Sequence, residues 1–155
     1  MSYFNEHALE MSIMELFQDE GYQYVGGESI HREREEVLLV DDLKQYLYSR
    51  YAKDGITPNE VESIIFTLRT ISGSIYEANK VVYKLISDGF IFNREDRTQK
   101  DLYIELIDFD TPENNTFKVV NQFEIEGMDR QLRIPDGIVF INGIPVVVLE
   151  FKSAV

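Results

Sequence analysis

The sequence predicts an α+β, or mixed α/β, fold in which a helical first half precedes a mostly antiparallel or mixed central sheet flanked by helices. Three observations carry that expectation. Before residue 90, apolar residues recur at helical spacing in successive segments. After residue 100 they fall instead into short runs rich in Val, Ile and Phe, separated by turn residues. Asn142-Gly143 then lies between two such runs, a strong short-range hairpin signal. Runs of helices followed by runs of strands mark an α+β arrangement.

Residues 4–20 read as a helix with Asn5 as its cap, Leu9, Ile13, Leu16 and Phe17 inward, and Gly21 as its stop. "YQYVGG" follows as a short strand and turn. Residues 41–52 read as a second helix, with Asp41 as cap and Leu43, Tyr46, Leu47 and Tyr51 inward. After the break "DGITPNE", Pro58 suits the first turn of a helix running to about Thr70, carrying Val61, Ile64, Ile65 and Leu68. A further helix covers 75–88 and Gly89 closes it. Strands are expected at 102–109, 117–125, 133–141 and 145–152.

At 155 residues the chain is long enough for one compact domain spanning 1–155. Its 44% hydrophobic and 28% charged residues are globular proportions, which excludes a disordered chain. No apolar run reaches the roughly 20 residues that span a bilayer. The start "MSYFNEHALEMS" lacks the basic and apolar parts of a signal peptide. The absence of Cys excludes disulfides and thiolate metal sites. A cytoplasmic location, with no membrane partner, is the simplest expectation. The net charge of −13 argues against general adhesion to nucleic acid, which wants Lys and Arg, although acidic clusters hold divalent cations.

The stretch "IPDGIVFINGIPVVVLEFK" concentrates the chemistry. It is nearly all apolar, yet it carries Asp136 at its start and Glu150 and Lys152 at its end. Side chains alternate along a strand, so Glu150 and Lys152 share a face and Phe151 takes the other. A two-residue turn at Asn142-Gly143 sets Asp136 opposite Leu149 and away from Glu150. A three-residue loop, Asn142-Gly143-Ile144, or a bulge elsewhere, sets Asp136 opposite Glu150. If the three charges act together, the odd register is expected. Both faces are apolar around the turn, so both are expected to be covered. A strand as apolar as 145–152 wants a neighbour on each side, which suggests a fragment of a longer fold. Two adjacent carboxylates repel, a divalent cation between them reverses that penalty, and a neighbouring Lys stabilises a developing anion or orients water.

Pro135-Asp136, thirteen residues, then Glu150-Phe151-Lys152 resembles the PD-(D/E)xK nuclease signature. The wider string "NQFEIEG...RIPDGIVFINGIPVVVLEFK" is similar to the N-terminal nuclease region of the R subunit of type I restriction enzymes. "NEHALEMSIMELFQDEGYQYV" and "EREEVLLVDDLKQYL" are similar to that family's opening segments, so the resemblance covers essentially the whole chain. Asp42-Leu43-Lys44 also spells D-x-K, but it opens a helix and has no upstream partner strand.

The resemblance implies a restriction-endonuclease-like core and a type I site-specific deoxyribonuclease activity: Mg²⁺-dependent hydrolysis of double-stranded DNA. Carried over residue by residue, Asp136 and Glu150 are implied metal ligands, with the Phe151 carbonyl as a third. Lys152 is the implied residue that activates water or stabilises the transition state. An acidic residue of the first helix often completes such sites, and Glu6 and Glu10, four apart, are both candidates. The implied partners are duplex DNA and the methylation and specificity subunits. The R subunit continues into a helicase-type ATP motor. No G-x-x-x-x-G-K-[ST] loop occurs here, so ATP would enter only through that motor. The family's Q-x-x-x-Y motif follows E-x-K; its matches here, Gln18 to Tyr22 and Gln99 to Tyr103, lie upstream and are read as accidental, with the counterpart expected beyond Val155. His7, His31 and the group Arg94, Arg97, Lys100 are read as solvated surface residues. The alternatives are another PD-(D/E)xK nuclease of repair or recombination, and a non-catalytic docking domain that keeps the fold.

Overall fold

A computed structural model describes residues 5–152. In chain order its elements are α1 (Glu6–Asp19), β1 (Gln23–Gly26), α2 (Val40–Arg50), α3 (Pro58–Arg69), α4 (Ile75–Asp88), β2 (Phe90–Phe92), β3 (Leu102–Ile104), β4 (Phe117–Asn121), β5 (Ile125–Glu126), β6 (Leu132–Arg133), β7 (Gly137–Ile141) and β8 (Ile144–Leu149). They form two compact units, one of Met1–Leu39 with Thr116–Val155, the other of Val40–Asn115.

In the first unit the sheet order is β1-β4-β7-β8. β1 runs parallel to β4, and the other pairs are antiparallel, so the sheet is mixed. Alternation along β4 and β7 sorts their apolar residues onto two faces. Val119 and Val139 pack with Met14 of α1, and half-buried Tyr24, Leu149 and Phe151 join them. Val120, Ile138 and Phe140 pack with Leu39 and Phe123. The Arg32 guanidinium lies 3.4 Å above the Phe123 ring, a cation–π contact that closes this second core.

Asn5 caps α1 as expected, its Oδ1 accepting the Ala8 N–H at 2.8 Å. The helix's buried stripe differs from the expected one. Glu10 and Met14 are the buried positions, whereas Leu16 is 55% exposed. Residues 10, 14 and 17 form one line down the helix, and polar partners at the sheet end let a carboxylate occupy it.

The expected hairpin turn forms at Asn142-Gly143. Both residues are left-handed, with φ of 50° and 80°, the type I′ geometry that suits a two-residue hairpin. Asn142 is fully buried, and its Oδ1 accepts the Thr116 N–H at 2.8 Å. β8 is the sheet's edge, and Val146, Val147 and Val148 are exposed. The expected cover on both faces of that strand is therefore not met among the described residues.

Gly27 sits where β1 leaves the sheet. A Cβ there would lie 2.3 Å from the Gln122 carbonyl oxygen and 2.8 Å from the Phe123 Cα. Both are backbone atoms, so no rotamer change relieves the clash. Gly27→Ala should destabilise the first unit by about 1–3 kcal/mol, read as a lower midpoint in thermal unfolding. An unchanged midpoint would contradict this packing.

In the second unit α2 packs against α3. Leu43, Tyr46, Leu47 and Tyr51 are all buried, as are Val61, Ile64 and Ile65. α2 begins at Val40, which puts Asp41 in the first turn rather than at the cap. Thr57 and Glu60 form a capping box at the start of α3. The strand expected at 102–109 is shorter and lies outside the four-stranded sheet. Leu102–Ile104 pairs with Phe90–Phe92 in a separate two-stranded ribbon. The segments expected at 117–125 and 133–141 are likewise broken, their ends forming the β5–β6 ribbon. The break follows β4, where Gln122 turns left-handed with φ of 53°.

Arg94 is buried rather than solvated. Its Nε and Nη2 donate to the two Glu60 carboxylate oxygens at 3.0 Å each. The partner lies 34 residues upstream, beyond any local reading of charge.

Candidate active site

The β7–β8 register decides whether Asp136 and Glu150 meet. Beside the turn, Ile141 pairs with Ile144 and Phe140 with Pro145. Farther on, Val139 pairs with Val147, Ile138 with Val148 and Gly137 with Leu149. Val146 is thus an extra residue, a β-bulge, and it converts the register of a two-residue turn into the odd one. The three-residue loop is not used. The ladder ends at Gly137 and Leu149, and the next residues outward on the two strands are Asp136 and Glu150.

The Asp136 side chain also reaches across this end of the hairpin. Its Oδ2 accepts the Phe151 N–H at 2.5 Å, a charge-assisted bond that ties the carboxylate to the backbone between Glu150 and Lys152. Asp136 is half-buried, whereas Glu150 and Lys152 are exposed. Phe151 turns to the other face, into the Met14 cluster beneath α1. Alternation then leaves Lys152 on the face of Glu150.

α1 packs closely on Gly137 at this end of β7. A Cβ on Gly137 would lie 2.9 Å from the Met14 Cε. One turn earlier on the helix is Glu10, which is 6% exposed. Its Oε1 accepts from Asn121 Nδ2 at 2.8 Å and from Gln122 Nε2 at 3.1 Å. Asn121 and Gln122 leave β4 at the same end of the sheet at which Asp136 enters β7. Glu6, the other candidate, is exposed. His7 Nδ1 lies 3.9 Å from Glu10 Oε2, with the His7 side chain 77% exposed.

The structure thus brings Asp136 onto the Glu150–Phe151–Lys152 segment and seats Glu10 on the α1 side of the same end. Among the described residues, no three His, Asp or Glu side chains are close enough to form a ready-made metal cage. Asn121 and Gln122 were not among the candidate residues. Their one sequence signal is a polar pair interrupting the apolar run "FKVVNQFEI". Gln122 also lines a cleft of about 370 Å³ with Arg32, Arg34, Glu28 and Glu124 on its walls. Arg34 is paired there with Glu124 at 2.8 Å. Among the described residues no helix is long and apolar enough to cross a membrane.

Residues 3–155 match the family model described as the N terminus of the type I restriction enzyme R protein. The chain is similar to the type I restriction enzyme HindI endonuclease subunit of Haemophilus influenzae, 30% identical over 96% of this chain and 15% of that protein. A chain from Methanocaldococcus jannaschii, provisionally named as a type I restriction enzyme endonuclease subunit, is also 30% identical over 96% of this chain and 15% of its own length. The type I restriction enzyme SauCOLORF180P endonuclease subunit of Staphylococcus aureus is 28% identical over 98% of this chain and 15% of its own length. The chain therefore spans about one seventh of the curated relatives it matches.

Proposed function

The chain belongs to the family of type I restriction enzyme R protein N termini, and we propose that it is the nuclease part of such a subunit, hydrolysing phosphodiester bonds of double-stranded DNA with Mg²⁺. The observation that supports this reading is the bulge at Val146, which makes Asp136 and Glu150 the next residues past the last ladder pair, together with the Asp136 Oδ2 bond to the Phe151 N–H between Glu150 and Lys152. A merely structural hairpin has no need to spend a bulge on aligning two carboxylates, which repel each other.

The donor set fits a hard divalent cation. The Asp136 and Glu150 carboxylates and the Phe151 carbonyl are all oxygen donors, and Mg²⁺ is usually held by one or two carboxylates with several waters retained. A complete protein cage is not required. Of the two α1 candidates, Glu10 is buried and bonded to Asn121 at the end of β4 and Glu6 is exposed, and the reading does not need either as a ligand.

When bound, Mg²⁺ polarises the scissile phosphate and lowers the pKa of coordinated water. Asp136 and Glu150 supply the negative charge that holds the cation. The Asp136–Phe151 hydrogen bond keeps the two strand ends in register around it. Lys152, on the same face, orients the attacking water and stabilises the charge that builds on the phosphate oxygens. The duplex, the methylation and specificity subunits and an ATP-driven motor belong to the same proposal for the full-length protein. The chain's net charge of −13 accords with DNA being delivered by those other parts.

Plasmid cleavage by the full-length protein with its partner subunits tests this reading. Cleavage should require Mg²⁺, stop with EDTA and return when Mg²⁺ is restored. Cleavage that persists in EDTA would refute the metal-dependent mechanism. No cleavage with any divalent ion would favour a docking domain that keeps the fold without the chemistry.

A further inference from the structure

We propose that the exposed apolar side of α4, together with the outer face of the β2–β3 ribbon, is a docking surface for a part of the same polypeptide that follows residue 155 in the full-length subunit. The proposal needs the family membership but none of the Mg²⁺ chemistry.

α4 is an amphipathic helix whose apolar side is only partly covered. A surface helix ordinarily turns its apolar stripe onto a core. No residue of α4 is buried. Ala78, Val82, Leu85 and Ile86 form a half-buried stripe, and the apolar side is wider than that stripe. Ile75 continues the line of Val82 and Ile86, yet it is 83% exposed. Tyr76 and Tyr83, seven apart and so on one line beside it, are 77% and 73% exposed. Val81 is exposed on the other flank. A 14-residue helix with so little packing is marginal in water. Its start is nevertheless specified by a capping box of Ser74 and Glu77.

The ribbon extends the surface. Ile91 pairs with Tyr103 across it, and the two are 70% and 54% exposed. The Tyr103 hydroxyl donates to the carbonyl of Asp88, the last residue of α4. Tyr103 thereby joins the ribbon to the end of the helix. Large apolar side chains grouped in this way mark an interaction surface, whereas single exposed ones do not.

The occupant follows from length and charge. The chain spans 15% of each curated relative it matches, so most of such a subunit lies outside it. A net charge of −13 opposes the approach of a second copy. DNA phosphates want Lys and Arg, and α4 sets Lys80 and Lys84 against Glu77 and Asp88. A segment of the same chain is held nearby by its tether. Even a small apolar surface therefore captures it, without the cost of bringing a free partner out of solution.

Photo-crosslinking of the full-length subunit tests the proposal, with p-benzoylphenylalanine in place of Tyr83 and the products mapped by mass spectrometry. The expected result is cross-links within one chain to residues after 155, formed without other subunits or DNA. Cross-links confined to residues 1–155, to a second copy, or to an added methylation or specificity subunit would overturn it, as would the lack of any cross-link. Hydrogen exchange on the full-length subunit gives a second readout. Ile75→Glu combined with Tyr83→Glu places two charges on the surface and should speed amide exchange in α4 about 10-fold. Glu favours a helix at least as well as Ile or Tyr, so faster exchange reports lost docking rather than a weaker helix. Unchanged exchange would also overturn the proposal. Should the double variant fail to fold, the cross-links decide. Neither readout involves Mg²⁺ or cleavage, so failure here leaves the nuclease reading standing.

Discussion

Lys152→Ala should lower DNA cleavage by the full-length protein by about 10³-fold while leaving Mn²⁺ bound. The two outcomes separate because Lys152 carries a positive charge and cannot be a metal ligand. Its removal leaves Asp136, Glu150 and the Phe151 carbonyl in place. The side chain is exposed and two residues past Glu150, so it shares that carboxylate's face without supporting any core. Stability should accordingly change little. Lys152→Arg should not restore full activity, because a planar fork does not replace a compact ammonium at a site that orients one water. Cleavage retained by Lys152→Ala would contradict the role assigned to it.

Arg94→Ala should lower the thermal midpoint on the order of 10 °C, although the residue is far in sequence from the nuclease motif. Its guanidinium makes a bidentate bond to Glu60 and also donates to the Asp54 and Gly55 carbonyls at 2.7 and 2.8 Å. It thereby links the loop after β2 to the start of α3, where Glu60 is also half of the capping box. Removing Arg94 strands a carboxylate that is 1% exposed. The pH dependence follows from the same pair. Arg94 holds the Glu60 carboxyl below its ordinary value of 4.5. The folded protein thus binds this proton less readily than the unfolded chain. The stabilisation is complete above that ordinary value and is lost as pH falls through the depressed folded one. Melting wild type and Arg94→Ala from pH 7 to pH 3 should show their difference narrowing below about pH 4.5. A difference constant across that range would contradict the pairing.

Much of the helical architecture was legible because it is written in short-range patterns. Leu43, Tyr46, Leu47 and Tyr51 mark the inner side of α2 by spacing alone, and all four are buried. Asn142-Gly143 names its turn because few residue pairs tolerate two left-handed positions. Long-range features were less legible. Phe90–Phe92 is too short to show a period, so its ribbon with Leu102–Ile104 was missed. Arg94 has acidic neighbours in sequence, which suggested solvent, whereas its partner Glu60 is set by the fold.

The site divides the same way. Asp136, Glu150 and Lys152 stand out as charges in an apolar stretch and through the family resemblance. The register joining them could not be read from "GIPVVVLEF", because either register leaves both faces apolar. A bulge inside a run of valines has no local marker. Glu6 and Glu10 share one side of the helix, so spacing could not separate them. Their surroundings differ in the fold, Glu10 being buried and bonded to two amides from the end of β4 and Glu6 exposed.

Anomalous diffraction from crystals of the full-length protein grown with Mn²⁺ tests the central claim most directly. The predicted result is one Mn²⁺ bound by both the Asp136 and the Glu150 carboxylates, with the Phe151 carbonyl in reach. An ordered hairpin with no ion there at saturating Mn²⁺, or with Asp136 and Glu150 on opposite faces, would contradict it.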